Sequence, residues 1–415
     1  MNRIKADIAI IGGGAAGMMA AAALSYELFA KNGQNNVHIV IIEKEARVGR
    51  KLLKTGNGRC NLTNSGATAA DYSGSFDIAD FLDVNTPTEL IAYFAKLGLI
   101  CKSDAENRVY PISNSANSVL DVLRNNYLSY GVAEYCNNVV SSIDYQKQSY
   151  IIKTDSNIFE AATVILATGS CASVNFSKEN IYSLPKALGH NISKINPGLS
   201  PIQANSKILS GLKGIRCNCK VQLKEQNNVL ATEYGELQFA ENGLSGICIF
   251  NLSNRIHNAE NPKVEIDFLP NTTAQDFAKI LCNRAAKFAA LTIDELFFGI
   301  LNKRIGMAIL KTCKIGDFSR KLGALTKKET EKIANCTKAF SVDVSRPQSF
   351  AKAQIAIGGV IGSEISSKTM QSTLHGNLYV LGELIDCNGQ CGGFNLNFAF
   401  SSAVVAAKSI AEKYN

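Results

Sequence analysis

Tryptophan is absent from the 415 residues and proline occurs only 8 times, yet the composition stays within the ordinary globular range. Other absences exclude whole classes. No run approaches the roughly 18 apolar residues of a membrane span. The apolar N-terminal stretch is interrupted by Asp7 and by glycines, so it reads as a strand and not as a signal peptide. No C-x-x-C pair and no paired Cys/His spacing occurs among the 12 cysteines, so no metal site is expected. Only Cys217/Cys219 and Cys387/Cys391 lie close together. In a long chain with no secretory signal, that scatter points to free thiols in a reducing cytoplasm. Internal repeats and low-complexity segments are also lacking.

What is present begins with a glycine run, Ile8-Ala-Ile-Ile-Gly12-Gly-Gly14-Ala-Ala-Gly17. A short apolar strand precedes it and an alanine-rich helix, from Ala15 to about Ala30, follows. This is G-x-G-x-x-G in the setting that gives it meaning. Gly12 permits the turn, Gly14 lets backbone approach a pyrophosphate, and Gly17 lets the helix lie close on the sheet. The helix start adds unpaired N–H groups and roughly half a unit of positive charge. The next apolar strand, 37–42, ends in Glu43, a carboxylate placed to accept from a ribose 2′-hydroxyl and to disfavour a 2′-phosphate. The polar stretch 32–36 accounts for the long spacing as a loop. On these residues alone NAD, FAD or an empty tight turn remain open.

A length of 415 residues suits two or three domains. The net charge of +8 is concentrated: 271–340 carries thirteen Lys/Arg against six Asp/Glu. Such a segment can collect phosphates; solvated helix faces are the alternative.

After Glu43 come Lys44 and then Gly49-Arg50-Lys51. Thr55-Gly-Asn57-Gly58-Arg59-Cys60-Asn61-Leu62-Thr-Asn64 is too rich in glycine and asparagine for a helix or strand interior, and reads as a structured loop offering donors and cations. Thr86-Pro87-Thr-Glu89 is a capping box opening a helix, and another helix is expected at 115–130. Short β-type runs follow at 132–136, 139–145 and 150–154. The strand 164–166 leads into Ala167-Thr168-Gly169. From about Asn196 the pattern becomes β-rich, and from Thr273 to Phe340 helical. Phe277, Ile280, Leu281 and Phe288 are expected on one buried helix face, with Leu296, Phe297, Ile300, Leu301, Ile305 and Ile309 forming a second stripe.

The tail returns to α/β character, with a strand at 378–381 running into Gly382-Glu383, then Asp386, Gly392-Gly393 and a final helix from about Asn397 to Lys413. NAD needs one Rossmann unit. A long cofactor reached by three remote segments fits FAD better, with the Gly392–Gly393 turn and last helix start near the flavin ring.

These blocks resemble the BaiN/RdsA family of NAD(P)/FAD-dependent oxidoreductases, in the family's order from end to end. The blocks are 11–18, 49–53, Thr55–Asn64, 167–169, 243–246, 358–360, 368–370, 382–386 and 392–395. The resemblance implies an α/β fold with a Rossmann-like FAD domain built from both chain ends, 1–195 and 345–415. It also implies an inserted β-rich subdomain, 196–270, and a basic helical subdomain, 271–344. With it, the candidate cofactor contacts are Gly12, Gly14, Ala15, Ala16, Gly17, Glu43, Lys44, Arg50, Lys51, Asn57, Gly58, Asn61, Leu62, Val139, Ala167, Thr168, Gly169, Gly382, Glu383, Asp386, Gly392, Gly393, Asn395 and Leu396.

The resemblance brings two functional precedents, reduction of steroid-like bile acid intermediates and dihydrouridine synthesis on 23S ribosomal RNA, with NADH or NADPH as possible donor. The second gives the basic insert a purpose. A small-metabolite reductase or oxidase, steroid-like or amine, and a non-catalytic flavin-bearing RNA-binding protein are the other readings. Two stretches depart from the family: Ser170-Cys-Ala-Ser-Val-Asn after the Ala-Thr-Gly, and Phe239-Ala-Glu-Asn before Gly243. Both are expected near the active cavity. Cys60 and Arg59 are the candidates for chemistry, with a buried cysteine and a solvated arginine as alternatives. His190 and His375 read as structural, and a redox role for Cys387/Cys391 has no other support in the segment.

Overall fold

The computed structural model describes residues 2–32, 37–173, 178–204, 209, 211–347 and 349–414. The loop expected at 33–36 and residues 174–175 of the first departing stretch lie outside the described residues. The chain divides into two compact units, Met1–Asn196 with Ile355–Asn415, and Pro197–Gln354.

In the first unit, the strand Asn2–Ile11 lies inside a seven-stranded sheet. It pairs in parallel with Ile39–Ile42 on one side and Asn157–Leu166 on the other. Ile8 to Ile11 are buried on both faces, as a central parallel strand requires. Ala133–Tyr135 adds to the outer side of Ile39–Ile42. Ser149–Thr154 and Val140–Gln146 extend the sheet antiparallel. The chain's other end completes it: Leu378–Val380 pairs in parallel with Val164–Leu166. The helices Ala15–Asn32 and Phe394–Lys413 pack on each other. Both helices bury small residues (Ala20 to Ala23, Ala403, Ala406 and Ala407, all 0 % exposed), which lets their neighbours pack close. The last helix starts at Phe394, three residues before the sequence suggests, because Gly393 at φ +105° turns the chain into it.

The second unit holds a six-stranded antiparallel sheet in the order Ile202–Gln203, Gly243–Ser245, Asn228–Ala240, Arg216–Glu225, Lys263–Asp267, Phe340–Asp343. The helices Ile247–Ser253, Ala274–Lys287, Lys303–Thr312 and Lys327–Lys338 belong to this unit as well. The β-rich and helical segments share one hydrophobic core: Val221, Phe239 and Val264 from the sheet join Phe277, Leu281, Ile309 and Ile333 from the helices. The unit extends to Gln354, ten residues past the boundary expected at 344/345. Pairing ties both ends of that stretch to the unit: Ser345 N–H donates to Gln203 O at 2.9 Å, and Gln354 N–H to Leu199 O at 3.3 Å.

Two helical stripes differ from expectation. Phe277 and Leu281 are buried, but Ile280 is 47 % and Phe288 40 % exposed, so they lie off the core face. The second stripe is not one helix. A short 3₁₀ turn, Ile293–Glu295, precedes Gly299 at φ +75°, and the helix restarts at Lys303 with Asn302 Oδ1 accepting from Arg304 N–H at 3.0 Å. Among the described residues no helix is long and apolar enough to cross a membrane.

Candidate dinucleotide site

Strand Asn2–Ile11 delivers the glycine run to the carboxyl end of the parallel strands, and helix Ala15–Asn32 begins at once. Gly12 sits at φ +103°, and a Cβ there would lie 2.4 Å from Ala167 O. A Cβ on Gly17 would lie 1.9 Å from Gly12 O. Around Gly14, in contrast, a Cβ would meet nothing within 4 Å. That open face lies at the start of the helix, where the first N–H groups have no intrahelical partner. Ala15, Ala16 and Gly17 supply those groups.

Glu43 is buried and holds this loop from behind. Its Oε2 accepts from Gly13 N–H at 2.6 Å and its Oε1 from Glu45 N–H at 2.8 Å. A carboxylate has about four lone-pair sites, so two remain for hydroxyl donors. Asn138 N–H donates to Glu43 O at 2.9 Å, which puts Val139, 42 % exposed, beside the end of that strand. Burial draws the Lys44 ammonium below its ordinary value.

The Gly49 segment is joined to the loop by Gly49 N–H donating to Gly13 O at 2.8 Å. Arg50 pairs with Glu45, and Lys51 Nζ lies 2.9 Å from Glu383 Oε2 in the returning chain. Both cations are largely exposed, so each pair contributes at most about 1 kcal/mol.

Short 3₁₀ turns over Leu52–Gly58 lead to the strand Thr63–Asn64. Asn57 and Gly58 are exposed, both at positive φ. The Arg59 guanidinium lies 4.7 Å from the Tyr110 ring centroid. Cys60 is 0 % exposed, and burial pushes its thiol up to about 12. The buried-cysteine reading therefore suits Cys60, and a solvated cation stacked on tyrosine suits Arg59. Leu62 is buried and fixed by its N–H to Val109 O at 2.8 Å.

Ala167 abuts the Gly12 turn, and Gly169 follows at φ +69°. In the return segment, Gly382 N–H donates to Ser402 Oγ at 3.1 Å, and Glu383 Oε1 accepts from Ala356 N–H at 3.2 Å. Asp386 is tied into the protein by two bonds, Oδ2 accepting from Ser75 Oγ at 2.9 Å and Oδ1 from Asn388 Nδ2 at 3.0 Å, which leaves two lone-pair sites as at Glu43. Asn395 is tied in likewise, its side chain closing the turn onto Gly389 N–H and O, each at 2.9 Å. Gly392 and Gly393 bring the last helix against the Asn61–Thr63 stretch, where a Cβ on Gly393 would lie 2.6 Å from Thr63 O. Leu396 stands half-buried in that helix's first turn.

A buried network escaped the sequence reading. Thr63 Oγ1 donates to Asn397 Oδ1 at 2.8 Å, Asn397 Nδ2 to the Tyr72 hydroxyl at 3.0 Å, and that hydroxyl to Phe394 O at 3.0 Å. Asn397 is 0 % exposed, and burial raises the Tyr72 hydroxyl. The available signal was an asparagine inside the apolar run of the last helix.

The other candidates are structural. His190 holds Glu364 Oε2 at 2.8 Å and Ser372 Oγ at 3.0 Å, a Ser–His–Glu line. Ser372 Oγ also accepts from Leu374 and His375 N–H, each at 3.1 Å, so its lone pairs are occupied. His375 Nε2 contacts Leu188 O at 2.6 Å. Burial raises the Cys387 and Cys391 thiols, which disfavours the thiolate. Among the described residues no group of three or more His, Cys, Asp or Glu could hold a metal ion. Glu241 and Asn242, in the second departing stretch, form a turn between Asn228–Ala240 and Gly243–Ser245.

The residues fit an FAD. Two buried oxygens, Thr168 Oγ1 and Asn61 Oδ1, have no hydrogen-bond partner, and buried polar atoms seldom stay unpaired. The face at Gly14 is open for a pyrophosphate. The final helix begins at Gly393 with no side-chain cap, leaving its first N–H groups for a ligand.

A sheet with a parallel core and this glycine turn, completed by a strand from the other chain end, defines a Rossmann-type dinucleotide-binding domain. The chain belongs to the family described as HI0933-like protein Rossmann domain, which matches residues 6–409, and it is an FAD-dependent oxidoreductase. It is 31 % identical over 420 residues to the 3-dehydro-bile acid delta(4,6)-reductase of Clostridium scindens, covering 100 % of both chains. It is 25 % identical over 413 residues to the ribosomal RNA dihydrouridine synthase of Haemophilus influenzae, covering 97 % of this chain and 98 % of that one. Among solved structures, the 3-ketosteroid-delta4-(5alpha)-dehydrogenase of Rhodococcus jostii is similar with a TM-score of 0.48 and 12 % identity, over 98 % of this chain and 97 % of that chain.

Proposed function

We propose that the enzyme reduces a carbon–carbon double bond conjugated to a carbonyl, with NADH or NADPH as electron donor and uridine in 23S ribosomal RNA as substrate. The supporting observation is the full-length likeness to two proteins whose names share that chemistry, saturation of a 3-dehydro bile acid and formation of dihydrouridine. The excess of thirteen Lys/Arg over six Asp/Glu in 271–340 favours the RNA.

When bound, FAD would supply hydride-transfer chemistry; saturating uracil adds a hydride at C6 and a proton from an acid at C5. The chain's own residues hold and orient. The helix start at Ala15 would hold the pyrophosphate, Glu43 would accept from a ribose hydroxyl, and the start of Phe394–Lys413 would favour negative charge at the ring end. Thr63, Asn397 and Tyr72 fix that helix start. Cys60 has no exposed surface and takes no part. The target base leaves its stack, at a cost of a few kcal/mol.

A second reading, a steroid-like metabolite as substrate, is favoured by the 31 % identity to the bile acid reductase. Deleting the gene in its host and mapping dihydrouridine in ribosomal RNA separates the two. Loss of one dihydrouridine is expected; an unchanged map overturns the RNA reading.

A further inference from the structure

The helix Ala274–Lys287 buries Phe277, Leu281 and Ala285 on one face. Along the flank of that face Ile280, Arg284, Lys287 and Phe288 succeed one another at positions i, i+4, i+7 and i+8, with Ile280 47 % and Phe288 40 % exposed. The Arg284 guanidinium lies 5.2 Å and Lys287 Nζ 5.5 Å from the Phe288 ring centroid. Arg284 also joins this stripe to a second exposed ring, because its Nη2 donates to Phe298 O at 2.8 Å. Phe298 is 39 % exposed, with Lys303 Nζ 5.3 Å from its centroid.

The chemistry of the patch is specific. It offers flat apolar faces with cations held against them. Of the carboxylates on these segments, Asp276 pairs with Lys279 at 3.1 Å, and Asp294 lies 3.5 Å from the platform's own Lys303. Such a surface complements a polyanion whose own flat groups are free to stack. An unpaired nucleic acid strand meets both conditions. A duplex shows only its phosphates to a flat patch, and an acidic peptide has no obligatory planar groups.

We infer that Ile280, Arg284, Lys287, Phe288, Phe298 and Lys303 form a docking platform for single-stranded RNA, in which bases stack on the two phenylalanines and the cations take the phosphates. The inference rests on the RNA reading of the function, which it deepens by naming the surface and the strandedness it recognises. Each stacked base contributes enough that removing one ring weakens binding roughly tenfold. The cations add a salt dependence through counterion release.

The test is fluorescence anisotropy on the FAD-loaded protein, with a labelled single-stranded oligoribonucleotide and a labelled hairpin duplex of equal length, at several salt concentrations. Phe288→Ala is expected to weaken single-strand binding roughly tenfold while duplex binding changes less than about twofold. Phe288→Tyr keeps a stacking face and is expected to bind like the parent, which separates stacking from misfolding. Lys287→Ala is expected to weaken both and to flatten the salt dependence. The platform is overturned if Phe288→Ala leaves single-strand affinity unchanged, if single strand and duplex weaken together, or if polyglutamate displaces the RNA as well as unlabelled RNA does. Loss of the deletion phenotype with a normal Phe288→Ala result sinks only the uridine substrate; an abnormal Phe288→Ala result beside the expected dihydrouridine loss sinks only the platform.

Discussion

Glu43 Oε2 accepts the backbone N–H of Gly13 at 2.6 Å across 30 residues of sequence. The carboxylate suited to reading a ribose is thus also the brace of the glycine loop. On the proposed placement of FAD, sugar and phosphate recognition would be coupled through one side chain. Glu43→Gln should therefore loosen both. Hydrogen bonds to a charged acceptor contribute about 1.5–3 kcal/mol each, so FAD affinity is expected to fall at least tenfold. Titration of the stripped protein with FAD measures it.

Gly14→Val separates binding from folding. No atom stands within 4 Å of the position a Cβ would take, and the backbone there is unstrained. The variant should fold with stability changed by about 0.5 kcal/mol or less, yet lose FAD because the side chain fills the approach to the loop. Purification of a yellow protein would contradict the placement.

The Thr63–Asn397–Tyr72 network predicts a different profile. Asn397→Ala leaves the Thr63 hydroxyl and the Tyr72 hydroxyl short of a buried partner. Such orphans cost about 1–3 kcal/mol, measurable by denaturant unfolding. Because the same residues fix the helix start, the flavin midpoint potential should also fall. A stability loss with an unmoved potential would confine Asn397 to a structural role.

Cys60 gives a pH prediction. Its thiol is raised from 9.0 to about 12 by burial. Between those values the folded chain holds a proton the unfolded chain has released. This contribution is complete below 9.0 and is lost as pH rises toward about 12. Cys60→Ser should flatten that alkaline loss while keeping turnover, and native Cys60 should resist alkylation until the chain unfolds.

The parts of this fold legible in the sequence were those where one physical requirement acts on neighbouring residues. The Gly12–Gly17 turn, the Thr86–Glu89 capping box and the central strand Ile8–Ile11 each show their reason locally. The illegible parts depend on remote partners. Asp386 and Asn395 are expected cofactor contacts, and their partners Ser75, Asn388 and Gly389 could not be read from the sequence. Ile280 and Phe288 carry helical spacing, yet periodicity cannot say which of two adjacent stripes meets the core. Leu296 to Ile309 read as one helix because the break lies in Gly299 and Asn302, weak signals inside an apolar pattern. The Asn397 network closes across 334 residues from Thr63, beyond any local rule.

The substrate is tested most directly in a single turnover. The FAD-loaded enzyme, reduced without oxygen by NADH or NADPH, is mixed with 23S ribosomal RNA from the deletion host or with a 3-oxo steroid diene. Flavin absorbance is followed and dihydrouridine counted. The account predicts that the RNA reoxidises the flavin, with one dihydrouridine formed per flavin. A flavin that stays reduced with RNA but is reoxidised by the steroid would contradict it.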